Sequence, residues 1–259
     1  MSSHSLQYDA IILAGRSAEP ALSPTDSRFS HKALLDIAGK PMLRYVAEAL
    51  CASGRVRRLI LVGLEESEWP GAPLSIPVIY IPSRGAIVDN CLAALEAHEG
   101  SDPVVFASTD VPLLSPEAVN DFLNQCETCD ADLCYPIIRC EVMEARFPGS
   151  GRTFTRLVEG EFCGGDIFRV RPRLVAGNIE FARSLTASRK SPWRLAKIIG
   201  LGVALRFATH RLRLIDAERR VSRVLGGSCK AISSSYAELG MDVDKQHHLE
   251  VVLRDMGRR

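Results

Sequence analysis

Residues 9–50 read DAIILAGRSAEPALSPTDSRFSHKALLDIAGKPMLRYVAEAL. An apolar run ends in Ala-Gly and is followed by a polar loop that two prolines interrupt. This loop carries Arg16, Arg28 and Lys32, and it leads through a Gly-Lys-Pro turn into residues with the apolar spacing of a helix. The stretch therefore predicts a first strand, a long basic loop and a first helix.

Strands and helices continue to alternate through the first half of the chain. The predicted strands are residues 8–13, 58–63, 77–82, 103–107 and 131–138, and the predicted helices are residues 41–53, 86–98 and 116–127. Ser115 before Pro116 marks the start of the last of these helices. The alternation predicts an α/β fold, with a mainly parallel Rossmann-like sheet and helices on both faces.

The second half of the chain is less regular. Glycine turns in residues 139–165 predict a hairpin-forming insertion, and the sheet is expected to resume at residues 165–170. A last strand is predicted near residues 229–236 and a final helix at residues 244–255. We expect one domain, residues 1–259, with a helical insertion at about residues 178–227.

The composition excludes some classes of protein. A formal net charge of +1 over 259 residues gives no global field that would favour nucleic acid or an anionic membrane. The N-terminus is polar, without a signal-peptide pattern, and no apolar window reaches the ~20 residues of a membrane span. We therefore expect a cytoplasmic protein without stable membrane insertion.

Four of the eight cysteines lie close together in the sequence: Cys126, Cys129, Cys134 and Cys140. The first pair has the spacing of zinc ligands, but no second pair with that spacing follows. A helix end that passes into a strand explains the group better, because cysteine then packs as a small apolar residue. We favour free thiols over a metal site.

Charged side chains follow three of the predicted strands. The basic loop follows the first strand, Asp110 follows residues 103–107 in the motif Asp-Val-Pro, and Asp242 and Asp244 follow the last strand. Ligands of open α/β sheets bind beyond the carboxyl ends of the strands. Carboxylates there are suited to Mg²⁺, and arginine and lysine are suited to phosphate oxygens.

Each of these signals also has a purely structural explanation. Basic residues are common in solvated loops, and aspartate often forms turns. Asp244 has the sequence position of an N-cap for the last helix. His247 and His248 are adjacent on that helix, so they face different directions and form a poor metal pair.

Taken together, the motifs resemble those of a known family. The segment AIILAG…HKALLDIAGKPMLRYVAEAL is similar to the signature of nucleotidyltransferases of the molybdenum cofactor guanylyltransferase type, the MobA-like NTP transferases. STDVPLL resembles the metal-aspartate turn of this family, and MDVDKQHHLEVV resembles its closing segment. The resemblance implies a sheet of the nucleotide-diphospho-sugar transferase type and transfer of a nucleotide from GTP or CTP to a phosphorylated small molecule, with release of pyrophosphate.

The resemblance also implies roles for individual residues. Lys32, Arg16 and Arg28 would be catalytic, stabilising charge on the phosphates, and Asp110 with Asp242 would hold Mg²⁺. Nucleotide binding would involve Leu13, Ala14, Gly15, Lys32, Arg84, Gly85 and Asp110. The acceptor would be bound by Gly164, Gly165 and Asp166.

Two alternative functions remain open at this point. The glycine loop of the family usually reads Leu-Ala-Gly-Gly-x-Gly-x-Arg, whereas only Gly15 is present here, so a catalytically degenerate nucleotide-binding or regulatory domain is one alternative. The tripeptide Asp-Val-Asp at residues 242–244 suits the other, a glycosyltransferase of the related GT-A fold. Release of pyrophosphate would indicate nucleotidyl transfer, and release of a nucleoside diphosphate would indicate glycosyl transfer.

The helical segment at residues 178–227 is rich in Leu, Ile, Val and Arg. We favour a helical layer packed on the sheet, because an apolar helix stripe normally faces a core. A homodimer surface, a lid over the acceptor and a face that contacts a lipid-linked substrate are the alternatives.

Overall fold

The computed structural model of the chain describes residues 6–14, 32–188 and 200–257, except for the side chains of residues 184–188. The strands are β1 Tyr8–Leu13, β2 Asp36–Ile37, β3 Lys40–Pro41, β4 Val56–Val62, β5 Val78–Ile81, β6 Val104–Ala107, β7 Leu133–Arg139, β8 Thr155–Leu157, β9 Gly160–Gly164, β10 Ile167–Val170 and β11 Cys229–Ser234. The α-helices are Met42–Ala52, Ile87–His98, Pro116–Thr128, Cys140–Arg146, Pro172–Ala176, Ile179–Ser188, Leu201–Ala208, Leu214–Leu225 and Gln246–Met256. Short 3₁₀ turns cover Lys32–Leu34, Glu66–Glu68 and Ala237–Gly240.

One large sheet organises the described part of the chain. Its strands follow the order β5-β4-β1-β6-β10-β7. The start of β7 pairs with β10 and its end pairs with β9, which in turn pairs with β8. On its other side, β7 pairs with β11. The strands β5, β4, β1, β6, β7 and β11 run in one direction, and β10 and β9 run against them. The predicted mainly parallel α/β sheet is confirmed.

Helices cover both faces of the sheet. On one face, Met42–Ala52, Pro116–Thr128 and Gln246–Met256 bury apolar side chains in the main core. On the other face, Ile87–His98 and Pro172–Ala176 cover the apolar residues of β1, β4 and β6. Because both faces are covered, β1 is apolar almost throughout and shows no polar alternation.

The first half of the chain follows the sequence prediction closely, within a few residues at each boundary. Ser115 caps the helix Pro116–Thr128, since its hydroxyl accepts a hydrogen bond of 3.2 Å from the Ala118 N–H. The prediction for residues 139–165 is incomplete, because the helix Cys140–Arg146 precedes the hairpin of β8 and β9. This helix has seven residues and no side-chain cap, so it leaves too short a pattern to be recognised.

Two of the described helices between residues 178 and 227, Leu201–Ala208 and Leu214–Leu225, lie against the sheet. Val203, Leu214 and Ala217 pack on a small cluster that includes Ile137 and Phe162. Ile138 belongs to the main core instead, and successive strand residues point to opposite faces. These helices therefore lie on the face opposite Gln246–Met256. No helix among the described residues has the length and apolarity needed to cross a bilayer.

Asp9 anchors the start of the central strand. Its carboxylate is fully buried and bonded to Arg57 at 2.8 Å, to Arg58, and to the His98 ring at 2.8 Å. Burial alone would raise the pKa of Asp9, but the hydrogen bonds from these three groups outweigh it and hold the pKa below its ordinary value. The charged network therefore ties β1 to β4 and to the helix Ile87–His98.

Candidate functional site

The carboxyl ends of β1 and β6 lie side by side, because these strands pair in parallel. Lys32 begins the short turn Lys32–Leu34, and Asp110 follows β6. Three residues, 108–110, separate β6 from the Val-Pro pair that fixes the turn. The side chains of Lys32 and Asp110 meet above this edge of the sheet.

Lys32 is bound to two carboxylates at once. Its Nζ lies 2.7 Å from Asp110 Oδ2 and 2.6 Å from Asp244 Oδ1. Burial alone would lower the pKa of Lys32, but the charges of the two aspartates and the hydrogen bonds to them raise it above the ordinary value. Lys32 is therefore a fixed ammonium group at the rim of the cleft.

The position of Asp110 is fixed by two further hydrogen bonds. The Ser108 hydroxyl donates to Asp110 Oδ1, and the Val243 N–H donates to the Asp110 backbone carbonyl at 2.8 Å. The second bond ties the turn after β6 to the segment that precedes the last helix. It explains how residues more than a hundred positions apart contribute to one site.

Asp242 and Asp244 flank the buried Val243 and both reach the cleft. Asp242 is buried and forms an ion pair with Arg152, which comes from the loop before β8. Asp244 is about half exposed and binds Lys32. The two aspartates therefore have different cationic partners.

The N-cap explanation of Asp244 is wrong. The last helix begins at Gln246 with Lys245 as its N-cap residue, and no side chain caps it. The Asp244 N–H donates instead to Nδ1 of the buried His248, at 3.2 Å. This bond turns the chain one residue before the helix and leaves the Asp244 carboxylate facing Lys32.

Three carboxylates converge closely enough to share a cation. One oxygen each from Asp110, Asp242 and Asp244 lies within 4.8 Å of the others. Within residues 6–14, 32–188 and 200–257, this is the one group of three or more Asp, Glu, His or Cys side chains that is close enough to hold a metal ion. Hard oxygen donors at this separation suit a hard divalent cation such as Mg²⁺. Like charges this close repel unless cations neutralise them, which Lys32 and Arg152 do here.

Asp166 is a fourth acidic residue beside this group. Its Oδ2 is buried without a hydrogen-bond partner among the described residues. Burial, followed by the charge of Asp110, raises the pKa of Asp166 to about 7, although the charge of Arg152 acts in the opposite direction. At neutral pH this carboxyl group is therefore partly protonated.

The two glycines before Asp166 allow this residue to approach the site. A Cβ on Gly165 would lie 2.8 Å from Pro136 Cγ and 2.9 Å from the Leu239 carbonyl oxygen, so no larger residue fits. A Cβ on Gly164 would overlap the Tyr135 hydroxyl. The Asp166 backbone then donates to Leu239 and accepts from Ser108, each at 2.8 Å. Asp166 is thus connected to the same turn as Asp110.

The remaining predicted residues are more dispersed. Leu13 ends β1 and Ala14 follows it, and the Ala14 N–H donates to the Val62 carbonyl at 2.8 Å. Gly85 has a φ of +91° in an exposed turn, and the Arg84 guanidinium binds Glu96 at 2.7 Å on the surface. The structure therefore brings Lys32, Asp110, Asp242 and Asp166 together, whereas the Arg84 side chain has a partner elsewhere. Gly15, Arg16 and Arg28 lie outside the described residues.

The sequence did not identify Arg152 as a site residue, and it suggested the wrong role, an N-cap, for Asp244. Arg152 stands in a glycine-bounded loop of the irregular insertion, where no periodic pattern locates a side chain. The available signal in the sequence is that this arginine stands between two glycines and the next strand. For Asp244, the signal was the alternation of Asp-Val-Asp, with a valine that is completely buried.

The clustered cysteines behave as packing residues. Cys126 lies in the helix Pro116–Thr128 and Cys134 in β7, and both are fully buried. Cys129 Sγ lies 3.6 Å from Cys134 Sγ, and all eight cysteines are free thiols. The prediction of small apolar side chains at a helix end and in a strand is confirmed.

Comparisons with known proteins agree with this architecture. Residues 10–161 match the model of the MobA-like NTP transferase domain. A structure described as a hypothetical transferase from Thermus thermophilus is 34% identical to this chain, with a TM-score of 0.82 and coverage of 94% of this chain and 100% of that one. No curated protein matches the chain.

Two further structures share the fold at low identity. CMP:2-keto-3-deoxy-manno-octonic acid synthetase complexed with CTP is 14% identical, with a TM-score of 0.57 and coverage of 97% of this chain and 99% of that one. The 4-diphosphocytidyl-2C-methyl-D-erythritol synthase from Anaerococcus prevotii is 9% identical, with a TM-score of 0.57 and coverage of 98% and 100%.

Proposed function

Because the chain belongs to the family of MobA-like NTP transferase domains, we propose that it moves a nucleoside monophosphate from a nucleoside triphosphate to a phosphorylated small molecule and releases pyrophosphate. The convergence of Lys32 with Asp110 and Asp244 at the carboxyl edge of the sheet carries this proposal. Asp242 lies in the same group of carboxylates. A metal-assisted transfer between two anionic substrates needs such a combination of cation and acid.

The charges suit a reaction between anions. In this reaction an acceptor phosphate oxygen forms a bond to the α-phosphorus, and the bond from that phosphorus to the pyrophosphate oxygen breaks. The acceptor is already ionised, so a side-chain nucleophile is unnecessary. The protein has to position the two substrates and neutralise their charge. Lys32 would stabilise charge on the triphosphate, together with Arg16 or Arg28 from the loop.

Asp110 and Asp242, with Asp244 beside them, would hold Mg²⁺. A bound magnesium ion supplies Lewis-acid stabilisation of phosphate oxygens and a template for their orientation. Lys32 is bound to two of these carboxylates. A divalent cation held by these carboxylates would balance their charge, and the Lys32 ammonium would then be able to bind a phosphate group.

The acceptor would lie against Gly164, Gly165 and Asp166. A carboxyl group with a pKa of about 7 is able to donate a hydrogen bond from its protonated form to an acceptor phosphate. Arg152 would meet a second anionic group, since it pairs with Asp242 and its charge acts on Asp166. We propose that Arg152 belongs to the acceptor side of the cleft.

The base would contact the backbone turn at Arg84 and Gly85, with the phosphates near Leu13, Ala14 and Gly15. One distant structural neighbour is a synthetase complexed with CTP and the other is a diphosphocytidyl synthase, whereas the sequence motifs resemble a guanylyltransferase. CTP and GTP are therefore the two nucleotides that we propose as donors.

A pyrophosphate assay tests the proposal. The protein is incubated with Mg²⁺, each of the four nucleoside triphosphates and a panel of sugar and polyol phosphates, and both pyrophosphate and nucleoside diphosphate are measured. Pyrophosphate release that depends on one nucleotide and one acceptor class supports nucleotidyl transfer. Nucleoside diphosphate as the product would indicate a glycosyltransferase, and tight nucleotide binding without turnover would indicate a non-catalytic domain.

A further inference from the structure

We infer that the helices Leu201–Ala208 and Leu214–Leu225, here called the basic layer, dock on the surface of an anionic lipid bilayer. This inference is independent of the proposed transfer reaction. It concerns a face of the molecule that contributes no residue to the carboxylate cleft described above.

The first argument is the separation of charge along the chain. Residues 189–227 contain ten lysines and arginines against two acidic residues, whereas the rest of the chain has 22 against 29. The overall charge of +1 therefore hides a segment of +8 and a remainder of −7. Such an uneven charge distribution indicates that an anionic partner binds this segment, because the nearly neutral protein as a whole would not attract one.

The two acidic residues of the basic layer already have partners within the protein. Asp216 accepts from Arg213 at 3.2 Å and lies 3.5 Å from Arg206. Glu218 binds Lys230 at 3.0 Å and accepts a hydrogen bond of 2.9 Å from the Ala231 N–H. Two further arginines of the layer, Arg219 and Arg223, have neither a hydrogen bond nor an ion pair from their side chains to any described residue.

Large apolar side chains of the helix Leu201–Ala208 face solvent. Leu201 is 68% exposed, Leu205 66% and Phe207 46%. Leu201 and Leu205 lie one helical turn apart and so share a face, while Val203 on the opposite side packs against the sheet. An exposed apolar stripe on a helix rimmed by arginines is typical of segments that lie in a membrane interface.

A shallow cleft in the basic layer is suited to a phosphate headgroup. It has a volume of about 330 Å³ and lies between the two helices, and three arginines line it: Arg206, Arg220 and Arg223. Guanidinium groups bind phosphate oxygens through paired N–H donors. The cleft therefore offers a site for the phosphate of an anionic lipid.

The same features disfavour two other occupants. Nucleic acid would satisfy the arginines but would leave Leu201 and Leu205 against water or phosphate. A second copy of the chain, docked through the same face, would bring together the six arginines of residues 200–227 from each copy, twelve in all. Repulsion between like charges opposes this arrangement. An anionic bilayer satisfies both the charged and the apolar groups.

Vesicle flotation tests the inference with the full-length protein. Vesicles of phosphatidylcholine alone are compared with vesicles of phosphatidylcholine and phosphatidylglycerol in equal amounts. We expect flotation with the anionic vesicles only, and weaker flotation at high salt. Arg219→Gln with Arg223→Gln should reduce the partition coefficient about 25-fold, since each arginine near an anionic surface contributes about fivefold. Leu201→Ser with Leu205→Ser should reduce it by at least about tenfold.

A matched control is available on the opposite face of the sheet. Leu253 and Arg254 are adjacent and exposed on the helix Gln246–Met256. The double variant Leu253→Ser with Arg254→Gln should float like the wild type. Circular dichroism checks that every variant is folded. Three results would overturn the inference: no flotation, equal flotation of the control and basic-layer variants, or stronger capture by duplex DNA or by self-association than by anionic vesicles.

Discussion

Lys32 Nζ lies 2.7 Å from Asp110 Oδ2, although the two residues stand 78 positions apart in the chain. The contact joins the loop after β1 to the turn after β6, and the parallel pairing of these strands brings both to one edge. A contact between two such loops is what a site at the carboxyl end of a sheet requires.

Lys32→Ala should reduce pyrophosphate release about a hundredfold or more, because one electrostatic contact to the reacting phosphates is lost. The measurement is the rate of pyrophosphate release at saturating nucleotide. Lys40→Ala is the matched control, since Lys40 also forms an ion pair, at 2.7 Å with Glu48, but lies outside the cleft. Equal rates for the two variants would remove Lys32 from the mechanism.

Arg152→Gln should raise the KM for the acceptor more than the KM for the nucleotide. The reason is that Arg152 pairs with Asp242 and also acts on Asp166, on the proposed acceptor side. We expect a change of roughly tenfold or more in KM, the effect of losing one charged hydrogen bond. Arg156→Gln, on the same hairpin but exposed, is the control. A rise confined to the nucleotide KM would place Arg152 on the other side of the cleft.

Asp166→Asn should flatten the pH dependence of stability in metal-free protein. The pKa of Asp166 is raised from 3.8 to about 7, so the folded state binds a proton that the unfolded state has already released. Folding stability is therefore expected to fall as pH rises from about 4 to about 7. Denaturant unfolding across this interval measures the effect. A wild-type slope that Asp166→Asn leaves unchanged would show that the group titrates normally.

Asp9→Asn should lower the free energy of unfolding by about 3 kcal/mol, because it breaks a buried charged network. The contribution is present above the ordinary carboxyl pKa of 3.8 and disappears in acid, since the pKa of Asp9 is lowered in the folded state. Asp130→Asn is the control: Asp130 pairs with Arg171 but is 88% exposed, so a change of at most about 1 kcal/mol is expected. Similar losses in both variants would contradict the structural role of Asp9.

The sequence predicted the elements best where the periodic pattern was long. The helix Pro116–Thr128 has both a cap and a proline, and β1 is an unbroken apolar run, so both were found. The helix Cys140–Arg146 was missed because seven residues without a cap leave no repeat to recognise. The reversed direction of β10 was also not predicted, since a strand of four residues carries no information about its orientation.

The site was predicted in part for a similar reason. Lys32, Asp110 and Asp242 each follow a strand, so the rule that carboxyl ends of parallel strands share an edge placed them together. Arg152 enters from an irregular loop, and the Asp244 carboxylate is oriented by a local bond from the Asp244 N–H to the His248 side chain four residues later. The spacing of apolar residues, which located the strands and helices, locates neither of these contacts.

Titration calorimetry of nucleoside triphosphate binding, with Mg²⁺ and with a chelator, tests the central claim most directly. The claim is that Lys32 and the carboxylates of Asp110 and Asp242 form one metal-nucleotide site. We predict binding of CTP or GTP that requires Mg²⁺ and is weakened at least about tenfold by Asp110→Asn, by Asp242→Asn and by Lys32→Ala. Nucleotide binding that is equally tight without metal and in all three variants would contradict the claim.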